Sequence, residues 1–188
     1  MENFVSKQRQ LYPLSEEAIQ LLLEDTEEVQ FTKGEQVWIE GWRADYAYFV
    51  KEGFVRTYVL RDGKDLTLWF TGLGGMVAGT SATVSVLNAE ALEDSVLLKI
   101  SASKLESLFC HSLELANWGR KLADYYLSEY EHYFIHYSNT DARGQYERLL
   151  REYPDIIQKV PLKHIASYLQ ITPQSLSRIR AMKSSSEK

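Results

Sequence analysis

Residues 160–180 read VPLKHIASYLQITPQSLSRIR. The apolar positions Ile165, Leu169, Ile171, Leu176 and Ile179, with the small Ala166, fall where two short helices joined by a tight turn need them. Helices are expected over Leu162 to Leu169 and Pro173 to Lys183. Ala166 lets the second helix cross the first closely, Ile171 plugs the turn, and Leu176 with Ile179 form the buried face of the second helix. Thr172-Pro173 is a double start signal, since Thr caps free amides and Pro presets φ at the first helical position. With that face inside, Gln174, Ser175, Ser177, Arg178 and Ala181 point outward, where they can reach base edges or phosphates. Lys163, Thr172 and Arg180 join Gln174, Ser175, Ser177 and Arg178 as candidate DNA-contacting residues. Any two amphipathic helices can imitate this motif, but six positions in register, the caps and the local basicity favour a helix-turn-helix.

The charge distribution agrees. The chain has 188 residues and a net charge of −5, yet residues 1–140 carry 12 Lys and Arg against 21 Asp and Glu, whereas residues 141–188 carry 9 against 5. An acidic body with a basic C-terminal piece is expected when one small module meets phosphates. Hydrophobic residues at 45% and charged residues at 25% exclude a disordered or fibrous chain. The longest apolar runs fall far short of a membrane span, and the N-terminus has neither a basic start nor an apolar stretch, so no membrane contact and a cytoplasmic location are expected. The single cysteine, Cys110, rules out an intrachain disulfide, a cysteine-rich zinc site and a four-cysteine cluster.

Upstream, a short helical lead-in is expected from Ser15 to Glu24. Residues 29–100 then change to short β-type runs: Gln36 to Ile39, Tyr46 to Val50, Val55 to Leu60, Leu66 to Phe70 and Val96 to Ile100. Glycines punctuate them every 7 to 12 residues, which suits an antiparallel barrel or jelly roll, and Asp62-Gly63 is a hairpin signal. A long helix follows, from Leu113 to Tyr137, with two apolar stripes. One reads Leu115, Trp118, Leu122, Tyr126, Tyr130, Tyr133, Tyr137; the other holds Ala123, Leu127 and Phe134. Two stripes mean two neighbours, the β-domain and a partner helix from a second chain, and the aromatic stripe from Trp118 through Tyr133 is expected to be the inter-chain seam. A further helix begins at the N-cap Asp141 and stops at Pro154.

Over nearly its full length the chain resembles the Crp/Fnr family of bacterial transcription regulators. The resemblance implies an α+β architecture: an N-terminal antiparallel β-roll (jelly-roll-like) over 1–112, a long dimerisation helix over 113–138, and a C-terminal helix-turn-helix (winged-helix-like) over 139–188. It implies a homodimer on double-stranded DNA, with RNA polymerase as a further partner. Three departures matter. Gln170 stands where the family places a glycine in the turn. The family's recognition helix carries Arg, Glu and a second Arg; the matching positions are Pro173, Gln174 and Arg178, so only the last Arg is kept. The chain also lacks the C-terminal strands that complete the family's wing.

The sensor departs further. Cyclic-nucleotide-binding members carry a Gly-Glu pair for the ribose and an Arg-Ser pair for the phosphate, and the matching positions here are Ala78-Gly79 and Ser85-Val86. A buried phosphate without its arginine is an uncompensated charge. An effector other than a cyclic nucleotide is therefore expected, neutral or mostly apolar, in a pocket of Met76, Ala78, Gly79, Ser85, Val86, Leu122 and Tyr126. No cofactor, metal site or catalytic residue is expected. Residues 29–100 contain no histidine to serve a barrel oxygenase, and Glu129, His132 and His136 on the long helix read as a solvated surface. The rival reading is a small-molecule-sensing regulatory module whose C-terminal helices bind a protein partner.

Overall fold

The β-branched and aromatic runs become eight strands: β1 (Glu27–Phe31), β2 (Gln36–Trp38), β3 (Tyr46–Glu52), β4 (Val55–Arg61), β5 (Lys64–Thr71), β6 (Met76–Val77), β7 (Asn88–Ala91) and β8 (Ser95–Ser101). The computed structural model describes residues 1–43, 45–77, 84–139, 141–154 and 156–186, without the side chains of Tyr133, 136–139 and 183–186. Two four-stranded antiparallel sheets, ordered β1-β8-β3-β6 and β2-β7-β4-β5, face each other as a roll. The Asp62-Gly63 turn joins β4 to β5, with Arg61 opposite Lys64 and both turn residues at positive φ, 51° and 73°. This is the turn whose twist matches the flanking strands.

The middle strands of the first sheet are buried on both faces, which is why they read as near-continuous apolar runs. Tyr48, Val50 and Leu97 point into the roll, onto Val37, Trp38, Val55, Val77 and Ala89. Ala47, Phe49, Leu98 and Ile100 point outward onto helices. Those helices are α1 (Glu2–Leu11), α2 (Glu16–Glu24), α3 (Ala102–His111) and the long α4 (Leu113–Asn139). The lead-in was expected only from Ser15, and there α2 does begin, Ser15 Oγ accepting from the Ala18 amide at 3.1 Å. The preceding α1 was not expected, because its inward face is half polar. Gln8, fully buried, donates to the Gly74 carbonyl at 2.8 Å and accepts from Trp118 Nε1 at 3.3 Å.

The long helix has 27 residues, roughly 40 Å at ~1.5 Å per residue. Its expected inter-chain stripe needs correction. Leu115, Trp118 and Leu122 lie in the chain's own core, with Trp118 between Phe49 and Phe109 at ring distances of 5.9 and 6.3 Å. Farther along, the Tyr126 hydroxyl meets the Met76 amide and Tyr130 meets Trp69, so both turn toward the roll. The outward line is instead Leu113, Ala123, Leu127 and Phe134, all exposed. The tyrosines make this stripe read as an amphipathic seam, whereas Tyr126 bonds the Met76 amide and Tyr130 packs on Trp69 within the chain. No helix among the described residues is long and apolar enough to cross a membrane.

The C-terminal domain holds α5 (Ala142–Glu152), α6 (Ile156–Lys159), α7 (Leu162–Tyr168) and α8 (Pro173–Ser186). Asp141 caps α5 as expected, accepting from the Gly144 amide at 2.8 Å. The residue pattern of the helix-turn-helix is realised: Ile165, Ala166, Leu169 and Leu176 are buried, with Ile171 and Ile179 packed against them. No strand among the described residues follows β8.

The turn between α7 and α8 closes by two hydrogen bonds, Ile171 N to Ala166 O and Gln170 N to Ser167 O, both 3.0 Å. That is the Schellman arrangement, whose C′ residue is left-handed and is usually glycine. Here Gln170 takes it, at φ 52° and with an exposed side chain. A Cβ in this region costs about 1 kcal/mol or somewhat more. Gln170→Gly is expected to stabilise the chain by about 1 kcal/mol, less the entropy glycine adds to the unfolded state, raising the midpoint of thermal unfolding by a few degrees. A lowered midpoint would remove the strain assigned to this turn.

Candidate nucleic-acid interface

Folding puts one face of α8 in water. Thr172 Oγ1 accepts from the Ser175 amide at 3.2 Å, the expected cap, and Leu176 anchors the opposite side. Gln174, Ser177 and Arg178 are exposed, and Gln174 and Arg178, four residues apart, share one strip of the helix. Lys163 is exposed at the start of α7. The remaining candidates are placed differently. Ser175 is half-buried, with its hydroxyl 3.1 Å from Thr172 Oγ1. Ser177 Oγ donates to the Pro173 carbonyl at 2.9 Å, one turn back on its own helix. Arg180 is half-buried and hydrogen-bonds Tyr146 of α5, so it braces the domain from inside.

This domain is seated on the roll. Ser167 Oγ on α7 donates to the Asp65 carbonyl at 2.7 Å and accepts from the Thr67 amide at 2.8 Å, satisfying part of the free edge of β5. Phe54, Phe70 and Leu92 from the roll enter the same apolar cluster as Tyr146, Leu149, Ile156 and Ile165. Tyr153 donates its hydroxyl to the Phe70 carbonyl at 3.2 Å.

Beside this contact lies a charge cluster that sequence reasoning missed. Arg56, almost fully buried on β4, donates to both oxygens of Asp65 at 2.6 and 2.7 Å, to Glu90 at 2.8 Å and to Thr67 at 3.0 Å. Its guanidinium also lies 4.0 Å from the Tyr58 ring centre. Burial opposes the charge, but the hydrogen bonds that Arg56 donates to Asp65 and Glu90 outweigh it and raise the Arg56 pKa; burial likewise opposes the Asp65 carboxylate, and Arg56 holds its pKa below the ordinary value. His164 of α7 closes the cluster, with Nε2 at 3.6 Å from Glu90. That is too long for a hydrogen bond. Burial, aided by the Arg56 charge, pushes the imidazole down to about 4, so it is neutral at neutral pH. The only signals in the sequence were an arginine inside a β-run and a histidine on the inward side of a helix.

Of the expected effector pocket, Ala78 and Gly79 lie outside the described residues. Met76 and Tyr126 meet, the Tyr126 hydroxyl bonding the Met76 amide, while Leu122 sits in the core with Trp118. Ser85 Oγ bonds both the Leu87 carbonyl and amide at 3.1 Å, and Val86 is exposed. Met76, Leu122 and Tyr126 thus gather at the long helix, and Ser85 and Val86 stand apart in a surface turn. Cys110 is exposed, and no group of three metal-ligating side chains occurs among the described residues.

Residues 28–112 match the family model of the cyclic nucleotide-binding domain. No curated protein matches the sequence. Among solved structures, the chain is similar to FixK2 from Bradyrhizobium japonicum, with 24% identity over 86% of each chain and a TM-score of 0.72. It is also similar to a transcriptional regulator of the crp/fnr family from Eubacterium rectale, with 20% identity over 94% of this chain and 88% of that one, TM-score 0.70. The c-di-GMP responsive global regulator CLP from Xanthomonas campestris gives 18% identity over 92% and 93%, TM-score 0.68.

The neutral, buried His164 makes domain packing sensitive to pH. A free imidazole takes up its proton near 6.5, the seated one only near 4. The seated form is therefore at full strength above pH 6.5 and loses up to about 3 kcal/mol as pH falls from 6.5 to 4. Denaturant unfolding across that interval should show the loss in wild type and a smaller one in His164→Gln. Equal slopes in the two proteins would remove His164 from the linkage.

Proposed function

Starting from a chain that has the Crp/Fnr regulator fold and a cyclic nucleotide-binding domain, we propose a homodimeric, sequence-specific DNA-binding transcription regulator whose sensor has lost its cyclic-nucleotide chemistry. The observation that carries this reading is the exposed strip of Gln174 and Arg178 on a helix whose other side is locked into the domain core. In a major groove, Arg178 suits bidentate contact with guanine and Gln174 suits adenine, while Lys163 and the start of α8 at Thr172 are placed for phosphates. Arg180, tied to Tyr146, supports the helix from behind.

The homodimer rests on the outward line of α4. Leu113, Leu127 and Phe134 are spaced by multiples of seven, with Ala123 three residues from the intervening heptad position. A sevenfold apolar spacing is what a paired helix buries, and a second copy supplies it in two-fold symmetry. Two recognition helices then fall about 34 Å apart, one turn of DNA. In the sensor, the proposed loss of cyclic-nucleotide binding rests on Gly79 and Ser85 standing where the resemblance places the carboxylate and the arginine, and on the Ser85 hydroxyl being engaged with Leu87. RNA polymerase remains the further partner that the resemblance suggests.

Selection of bound fragments from random duplex DNA tests the reading as a whole. A two-fold symmetric winning sequence is expected, with affinity falling steeply as salt rises. The absence of any selected sequence would favour the rival, a module whose C-terminal helices bind protein. On the selected duplex, Arg178→Ala should cost roughly 1 to 3 kcal/mol and relax the preference at one base pair in each half-site. Leu127→Asp alters an exposed position, so the fold should survive while sedimentation shows monomers and affinity for the symmetric site falls. A Leu127→Asp variant that remains dimeric would sink the proposed seam.

A further inference from the structure

The roll, the long helix and the C-terminal domain enclose a cleft of about 1210 Å³. It is separate from the interior of the roll, whose described centre is filled by Trp38, Tyr48 and their apolar neighbours. Aromatic rings from all three parts line it: Phe54 and Trp69 from the roll, Tyr125 and Tyr130 from α4, Tyr153 and Tyr168 from the C-terminal domain. Trp69 and Tyr130 meet edge to face, 5.3 Å apart at 75°, so the two rings do not cover each other by stacking. Tyr125 and Tyr130 stay exposed by nearly half. Each of these rings has an aromatic neighbour on one side, and the ring surface left open to the concave space gains by covering, which a flat ring system does most completely.

The charges of the cleft decide which flat molecule fits. Of its lining cations, Lys7 of α1 is exposed to solvent, whereas Lys51 is held by Glu28 at 2.7 Å, Arg148 by Glu152 at 2.5 Å and Lys159 by Glu93 at 3.6 Å. Except at Lys7, an anion would have to break one of these pairs, and Glu52 and Glu129 add negative charge to the same walls. An uncharged molecule disturbs none of them. The Tyr125 and Tyr130 hydroxyls are carried on rings open to the cleft and can donate a hydrogen bond to a ligand.

We propose that this cleft is a binding site for an uncharged, planar, polycyclic aromatic molecule bearing a hydrogen-bond acceptor, seated against Trp69 and Tyr130. The proposal goes beyond the regulator reading and needs it only for its consequence. A molecule touching roll, long helix and C-terminal domain together favours the seated arrangement over any other, and so biases how the recognition helix is presented.

Nile red, an uncharged planar fluorophore, is the probe. Titrated into the full chain without DNA, it should show saturable, blue-shifted emission with one dye bound per chain. Tyr130→Ala and Trp69→Leu should each weaken binding at least tenfold, and Trp42→Ala, an exposed aromatic outside the cleft, should leave it unchanged. Tyr130 is exposed, so its variant should retain the wild-type melting temperature and report on the site alone. Absence of saturable binding would overturn the proposal, as would full binding in both cleft variants or an equal loss in Trp42→Ala. Because the dye is read without DNA, this failure is distinct from a failure of DNA recognition.

Discussion

Trp118 fixes the direction of everything on the long helix. Its ring is fully buried between Phe49 of β3 and Phe109 of α3, and its indole nitrogen is held by the buried Gln8. Gly119 next to it lets α3 approach so closely that an added Cβ would stand 2.7 Å from the Phe109 ring. A helix advances about 100° per residue, so one immobilised side chain sets the heading of all the others. Tyr126 therefore faces Met76, Tyr130 faces Trp69, and Leu127 and Phe134 face away from the roll.

The second constraint is the outer face of the β4–β5 hairpin. Phe54 and Phe70 stack there at 5.9 Å and continue into Tyr153 and Tyr168 of the C-terminal domain. Apolar burial supplies attraction without direction. Direction comes from Ser167 on the edge of β5 and from the Arg56 cluster, where each donor has a set partner. Buried ion pairs add little net stability over an apolar contact, but breaking one is costly, so they specify a single seating. Helix α8 inherits its position from that seating through α7 and the tight turn at Gln170.

These two constraints leave the chain with two surfaces of opposite character. The outward line of α4 is apolar and exposed, suited to another copy of itself. The outward strip of α8 is polar, with arginine and glutamine, suited to a polyanion with hydrogen-bonding edges. Between them, the aromatic cleft touches every part that would have to move for one surface to inform the other.

The sequence by itself determined the elements whose signal is local. The helix-turn-helix was legible because caps, turn and apolar spacing all fall within residues 160–180, and four of its six core positions are buried, with Ile171 and Ile179 packed half-buried against them. The Asp62-Gly63 hairpin and the long helix were legible for the same reason: backbone preference and periodicity operate over a few residues. Short strands such as β6 and β7 were not, because Met76–Val77 and Asn88–Ala91 carry little β preference and exist only by pairing with β3, β2 and β4. Tertiary structure alone decided which stripe of α4 turns inward, since both stripes are apolar and only the packing of Trp118 distinguishes them. It alone brought Arg56, Asp65, Glu90 and His164 together from across more than a hundred residues, and placed Arg180 against Tyr146. Charge partnership and the heading of a helix face depend on distances between segments far apart in the chain, and no local pattern encodes those distances.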